Sequence, residues 1–208
     1  MTGTIAGSAQ GVEEREVKLM VADDFVLPSL SDLDDLTAVD AGDELLRAVY
    51  WDTDELALAR AGVGVRHRNG IWAFKGRSRR DGDAVVREEL EVAAGSDSIP
   101  PEMRSRLEEW VDPSVVHPVA HLDALRRRID VAAGTARVEL VHDRVRVVDG
   151  TRVVAHFAEV EVEFTAEDHP LADRLVRLLI ENGAVVDTTS KYVRALRALG
   201  HDPPNRTL

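Results

Sequence analysis

Cysteine is absent from the 208-residue chain, which excludes a disulfide framework, thiolate metal sites and a cysteine nucleophile, and fits a reducing compartment. Aromatic residues make up only 4%, leaving few rings to stack on a nucleobase or another flat ligand. No stretch approaches the roughly 18–20 apolar residues of a membrane span. Met1 to Gly11 lacks both a basic segment and an apolar run, so it reads as a flexible tail rather than a secretory signal. Positive charge is in deficit: 26 basic against 38 acidic residues give a net charge of −12. That balance argues against nucleic acid or a membrane surface as a partner and leaves a cytoplasmic, soluble domain as the expectation. Any anion site must be a local concentration of cations.

Lysine is scarcer still. Only Lys18, Lys75 and Lys191 stand against 23 arginines. An ammonium is a compact point charge where a guanidinium is a planar fork, so three surviving lysines mark either chance or positions facing something tightly spaced.

The 44% hydrophobic content suffices for one buried core. A single domain over residues 12–200 is expected, with a second flexible tail at 201–208. Strand patterns of period two begin at Val12 and recur at Val63 to Arg68, Ile71 to Gly76 and Val85 to Ala93. They continue at Ala124 to Ala132, Ala136 to His142, Arg144 to Asp149, Arg152 to His156 and Ala158 to Thr165. Asn69-Gly70 between two of them is a hairpin turn signal. Helices are expected over Asp52 to Gly62, with Asp52 or Thr53 as N-cap, and over Pro100 to Val111, Pro170 to Asn182 and Lys191 to Leu199. Val26 to Ala48 shows no strand period and reads as a helix or long loop. His117 and His121 are four apart, but Pro118 between them argues for a surface loop rather than a helical metal pair. The fold class is α+β: an antiparallel sheet with a few packed helices.

The strand faces are unusually consistent. One face collects Glu14, Glu16, Lys18, Arg66, Arg68, Lys75, Arg87, Glu89, Glu91, Arg126, Arg128, Glu159, Glu161 and Glu163. The other collects apolar residues such as Val17, Leu19, Val65, Trp72, Phe74, Leu90, Val160 and Val162. Two architectures satisfy this pattern: an open sheet with a solvated face of ion pairs, or a sheet curled into a barrel with a polar interior. Acids dominate the first and last strands of the set and cations the middle ones. Oxygen ligands suit Mg²⁺ or Mn²⁺, and a cation cluster suits phosphates bridged by those metals, so the segregation points to a metal-bound polyphosphate.

Glu14-x-Glu16-x-Lys18 resembles the ExExK signature of the CYTH superfamily, also called triphosphate tunnel metalloenzymes. The resemblance extends in order through Tyr50-Trp51-Asp52-Thr53, Leu58, Val65-Arg66-His67-Arg68, Trp72-Ala73-Phe74-Lys75, Arg87-x-Glu89-x-Glu91, Asp143, Glu159-x-Glu161-x-Glu163 and Ser190-Lys191-Tyr192. It spans about residues 12–199, and all three lysines fall on its motifs. It implies an eight-stranded antiparallel β-barrel flanked by helices. Lys18, Arg66, Arg68, Lys75, Arg87 and Lys191 would hold triphosphate oxygens, joined by Arg126 and Arg128, while Arg127 points away. Glu14, Glu16, Asp143, Glu161 and Glu163 would be ligands to Mg²⁺ or Mn²⁺, one metal near Glu14 and Glu16 and a second near Asp143 and Glu161. Glu159 shares their parity and would lie beyond the metals, and the alternative for Asp143 is a turn residue. Tyr50 and Lys75 match a catalytic pair of related enzymes, and Tyr50 reads equally well as a packing aromatic.

The activity implied is metal-dependent hydrolysis of a small-molecule triphosphate, inorganic triphosphate first. Thiamine triphosphatase and class IV adenylate cyclase are alternatives within the family, and a non-catalytic polyphosphate or nucleotide module lies outside them. The low aromatic content favours the inorganic substrate. Many relatives continue into a histidine-rich CHAD domain, and whether one belongs to this protein is left open by the sequence, as is the oligomeric state.

Overall fold

Alternation of charged and branched apolar side chains suits extended backbone, because successive residues then sort to opposite faces. The computed structural model describes residues 11–30, 33, 35–95 and 98–203. It places ten strands: β1 (Val12–Val21), β2 (Thr37–Asp52), β3 (Gly64–Arg68), β4 (Ile71–Lys75), β5 (Arg79–Asp81), β6 (Ala84–Ala93), β7 (His117–Ala133), β8 (Ala136–Asp149), β9 (Arg152–Phe164) and β10 (Val185–Val186). Four helices accompany them: α1 (Ala57–Ala61), α2 (Pro101–Leu107), α3 (His169–Glu181) and α4 (Lys191–Ala198).

Neighbouring strands run β1-β9-β8-β7-β2-β3-β4-β6, and β6 pairs back onto β1, so eight strands close a barrel. Every pairing is antiparallel. β5 and β10 are short additions to β6 and β1. The curled architecture is therefore the one realised, and the open sheet is not.

The outer face is apolar and covered. Val17, Leu19, Val160 and Val162 pack beneath Leu171, Leu175 and Leu179 of α3. Val65, Trp72, Phe74 and Leu90 pack beneath Met103 and Leu107 of α2. A third apolar cluster lies on the inner face. Leu122 shares the strand side of Arg126, and Val145 and Val147 share that of Asp143. These residues join Tyr50 and Tyr192, Ala195 and Leu196 of α4 in one buried cluster. So α4 fills one end of the barrel interior, and the charged residues occupy the rest.

Several expectations are corrected. Val26 to Ala48 is not a helix or long loop throughout, since β2 starts at Thr37 and pairs with β7 from Thr37↔Ala132 to Asp52↔His117. Its first half is exposed on both faces, which removes the alternation that would have revealed it. His117 to His121 is the start of β7 rather than a loop, and Pro118 sits beside an irregularity in the pairing with β2, where a missing N–H is tolerated. The strands expected on either side of Asp143, and on either side of Phe157, are single continuous strands. β5 was not anticipated. The helices over 52–62 and 100–111 are confined to α1 and α2. The hairpin at Asn69-Gly70 forms as expected, both residues having positive φ, 50° and 79°. The expected tails at 1–11 and 201–208 lie outside the described residues except for Gly11 and His201 to Pro203. Among the described residues no helix is long and apolar enough to cross a membrane.

Candidate active site

Strand register assembles the barrel interior. Glu14 faces Arg87 across β1 and β6, and Lys75 faces Glu89 across β4 and β6. Lys18 faces Glu161 and Glu16 faces Glu163 across β1 and β9. Arg126 faces Asp143, which in turn faces Glu159. Opposite charges directly across a ladder attract, whereas like charges there are destabilising without a counter-ion. Two of these pairs, Glu16 with Glu163 and Asp143 with Glu159, set one carboxyl group against another. A cavity of about 510 Å³ opens among the inward side chains, bordered by Lys18, Arg66, Arg68, Lys75, Arg87, Arg126, Arg128 and Lys191 and by Glu14, Glu89, Glu161 and Glu163.

At the base of the cavity Asp143, Glu159 and Glu161 come together. Arg126 donates to both oxygens of Asp143, through Nε at 2.9 Å and Nη2 at 2.7 Å. Lys191 Nζ donates to Glu159 and lies 2.9 Å from Asp143 and 3.0 Å from Glu161. Lys18 Nζ donates to Glu161. Burial opposes the charge on Lys18 and Lys191, yet the surrounding carboxylates hold both ammonium groups above their ordinary range. Burial likewise opposes ionisation of Glu161 and Asp143, but Lys18, Lys191 and Arg126 hold Glu161 well below the usual carboxylate range and Lys191 and Arg126 hold Asp143 below it. Asp143 is fully buried in mid-strand, which removes the turn alternative. Glu159, on the same face as the other acids, is 2% exposed and belongs to this group.

A second group joins Glu14, Glu16 and Glu163. Glu14 accepts from Arg87 Nε at 2.7 Å and from Lys75 at 3.2 Å. Glu16 is 1% exposed. Arg87 Nη2 and Lys18 Nζ approach its Oε1 to 2.7 and 3.3 Å, but out of hydrogen-bonding direction, so neither carboxylate oxygen accepts a hydrogen bond. Buried carboxylate oxygens without donors are costly unless a cation supplies the missing contact. Burial, with Glu161, Glu16 and Glu14 nearby, pushes the carboxyl of Glu163 up to about 8. Three clustered carboxyl groups offering only oxygen, one of them, Glu163, with no cation in ion-pair range among the described residues, suit a hard divalent cation.

Toward the opening the balance reverses. Arg66 approaches Glu89 and Glu91 only to 3.7 and 3.8 Å, and its buried Nε has no acceptor. Among the described residues no carboxylate lies in ion-pair range of Arg68, and burial, Arg66 and Arg126 press its guanidinium below its ordinary range. Arg128 stands at the mouth, half exposed, 3.7 Å from Glu139. Arg127 points outward to Asp40, as the strand parity requires. A guanidinium without a carboxylate partner, Arg68, beside the loosely paired Arg66 over a cavity makes an anion site.

Two further residues hold this arrangement in place. Asp52, fully buried, accepts from the backbone N–H groups of Thr53, Leu58 and Ala59 at 2.8, 2.8 and 2.9 Å and from the Tyr192 hydroxyl at 2.7 Å. It therefore serves the N-terminus of α1 without being its N-cap, which is Leu56, and it ties α4 to β2. Tyr50 stacks on Tyr192 with ring centroids 4.8 Å apart and planes 4° from parallel. Sequence spacing reveals only a local cap at Asp52. Its link to Tyr192, 140 positions away, carries no local signal.

The CYTH domain family matches residues 13–195. The chain belongs to the CYTH domain family. Among solved structures, it is similar to an adenylyl cyclase candidate from Hippeastrum described as having a dominant triphosphatase activity. That match has 19% identity and TM-score 0.56, covering 92% of this chain and 98% of the other. An adenylate cyclase candidate from Bacillus halodurans aligns at 17% identity and TM-score 0.56, covering 86% and 95%. A protein from Pyrococcus horikoshii aligns at 17% identity and TM-score 0.50, covering 88% and 98%. At these identities the likeness is one of fold. No curated protein sequence matches the chain.

Proposed function

We propose that this CYTH domain is a divalent-metal-dependent triphosphatase acting on a small-molecule triphosphate, inorganic triphosphate in the first place, in the cytoplasm and without nucleic acid or membrane as a partner. The observation that carries this reading is the juxtaposition, inside one barrel, of the Arg68 guanidinium, with no carboxylate in ion-pair range among the described residues, and the oxygen-only cluster of Glu14, Glu16 and Glu163, in which Glu163 meets no cation. A pure anion site would need only the first.

A triphosphate carries about four negative charges, and phosphoryl transfer spreads further charge over the equatorial oxygens. Arg66, Arg68, Lys75, Arg87 and Arg126 are fixed by strands, so they stabilise that charge without reorganising. Lys18 and Lys191 set the positive potential at the base, and Arg128 guides the anion at the mouth. Lys75, held between Glu14 at 3.2 Å and Glu89 at 3.1 Å, donates to the phosphoryl oxygens, and the Tyr50 hydroxyl beside the cavity completes the catalytic pair. Glu14, Glu16 and Glu163 would hold Mg²⁺ or Mn²⁺. When bound, that ion supplies Lewis acidity to the phosphate oxygens and to attacking water.

The aromatic rings favour the inorganic substrate. Tyr50 and Tyr192 are the rings that border the cavity among the described residues, and they are stacked on each other rather than free for a base or thiazole. Phosphate release from inorganic triphosphate, ATP and thiamine triphosphate, with Mg²⁺, Mn²⁺ or EDTA and with cyclic AMP monitored, tests the reading. Metal-dependent turnover of inorganic triphosphate above the others supports it. Cyclic AMP formation would select the cyclase, and a rise in melting temperature with triphosphate but no turnover would make the domain a binding module.

A further inference from the structure

The cavity reaches both ends of the barrel. At the mouth its border carries Glu44, Glu91 and Glu139 beside Arg68 and Arg128. At the other end it runs out between the end of α1 and the segment before α4, bordered by Gly62, Gly64, Gly76, Ser78, Thr188 and Ser190, all small and neutral. Gly64, Arg66 and Arg68 are successive inward positions of β3, about 7 Å apart, so this row leads from the second opening toward the mouth. Gly64 faces the interior and is still partly exposed. It pairs with Lys75 across β3 and β4, which sets the opening beside the ammonium group of the catalytic pair.

The glycines at this opening are there for different reasons. Gly62 caps α1 with φ at 78°, and a Cβ on Gly76 would meet the Glu88 carbonyl oxygen at 3.3 Å. Gly64 has neither need. Its φ lies outside the left-handed region, and a Cβ there would meet only Tyr192 Cδ1, at an ordinary 3.9 Å. A larger residue would gain contacts and strand propensity, so what glycine supplies is clearance of the kind that a closely approaching ligand requires. A cation stands outside that clearance. Arg79 pairs with Glu13 and Arg15 with Asp81, whereas Arg80 donates to the Thr188 hydroxyl at 3.1 Å and has no carboxylate in ion-pair range among the described residues.

We infer that the second opening is the exit for the inner orthophosphate product, kept clear by Gly64 and made attractive to anions by Arg80. The identity of the anion rests on the triphosphatase reading; the opening does not. On that reading the triphosphate enters past Arg128, Arg68 and Arg66, and its inner end comes to rest by Lys75. Water adds to the inner phosphorus and the anhydride bond breaks, leaving orthophosphate deep in the barrel and diphosphate between it and the mouth. The way back is filled by the other product and rimmed by three carboxylates. The way forward is neutral, with a cation beyond it.

The chain has no cysteine, so Gly64→Cys introduces a lone thiol that can be blocked after folding. A sulfonate-bearing methanethiosulfonate should modify it in the free protein, and adding Arg80→Glu should slow that reaction about fivefold, since an anion using this opening passes residue 80. An unreactive thiol, or a rate indifferent to Arg80→Glu, would overturn the second opening as an anion path. With inorganic triphosphate and Mg²⁺, acid-quenched samples count all phosphate formed, and a fluorescent phosphate-binding protein counts phosphate released. In the modified protein release should slow about tenfold while formation in the first turnover stays within about twofold, and a reductant that removes the adduct should restore release. Formation slowed along with release, or release unchanged, would overturn the exit. Gly64→Ala should melt no lower than the wild type; a lower Tm would mean that the fold itself needs the glycine and would remove the argument from clearance. If the wild type turns over no triphosphate, the triphosphatase reading fails while the labelling rates still decide whether the opening passes anions.

Discussion

Asp52→Asn is the substitution whose consequence can be worked most directly. The carboxylate receives four donors, three backbone N–H groups at 2.8, 2.8 and 2.9 Å and the Tyr192 hydroxyl at 2.7 Å. An asparagine of the same shape offers one accepting oxygen and turns an NH₂ toward the remaining donors. At least one buried donor then loses its acceptor, and those that remain bonded face a neutral group in place of a carboxylate. Each such change costs about 1–3 kcal/mol, and because the four bonds share one acceptor the terms do not add, so the working figure is about 4 kcal/mol. For a chain of this size each kcal/mol lowers Tm by about 2–4 °C, giving a drop of roughly 8–16 °C. Calorimetry of the purified variant measures it. Tyr192→Phe removes one donor of the four and should cost about 1–2 kcal/mol. The two changes together should cost less than their sum. Because Asp52 also anchors the helix that carries Lys191, triphosphate affinity should fall along with stability. A Tm within 3 °C of the wild type for Asp52→Asn would refute the reasoning, since the four bonds would then carry no net stability.

Glu14→Gln and Lys75→Ala should each lower metal-dependent phosphate release by about 10²–10³ with the barrel intact; undiminished turnover in either would remove the assignment. Glu163 gives a pH signature. Its carboxyl is held at about 8 against an ordinary 4.5, so near neutrality it is protonated, and binding of Mn²⁺ at pH 7 should release close to one proton. Calorimetry in buffers of different ionisation enthalpy counts it, and Glu163→Gln should abolish the release. The same shift raises the folded value above the unfolded one, so the stability from the neutral form is present below about 4.5 and is lost as pH rises toward 8. Glu163→Gln, metal-free, should therefore melt higher than the wild type at pH 8 and equally at pH 4.5. Gly70→Ala should cost about 1–2 kcal/mol by thermal melting, because φ is +79° while the added Cβ meets no atom within 4 Å.

The charged face was legible because strand parity is a local property: Glu14, Glu16 and Lys18 must share a side whatever they pair with. Parity does not reveal register. That Glu16 lies opposite Glu163, and Asp143 opposite Glu159, depends on how distant strands align. The separation of the acids into two groups is therefore hidden, and so is the closeness of Glu159 to Asp143 and Glu161. The first half of β2 escaped for a different reason, since exposure on both faces leaves no period to detect. The start of β7 escaped because Pro118 mimics a loop. At Asp52 the local reading found a helix start and missed the tyrosine that arrives from the far end of the chain.

The seam that closes the barrel joins positions near its two ends: Glu16 pairs with Glu163, and β1 also pairs with β6. Contacts of such sequence separation form late and slowly, because a long loop must be ordered before they give any return. During synthesis, β1 must wait for β9 to emerge. Until then the interior acids and bases remain in water, where an unpaired charge costs little. Desolvation of the site and completion of the fold are thus one event, and a partly folded chain presents neither a cation site nor an anion site. Any ligand of the tunnel binds the finished barrel alone and slows its opening, so bound triphosphate should lengthen survival under protease rather than hasten refolding.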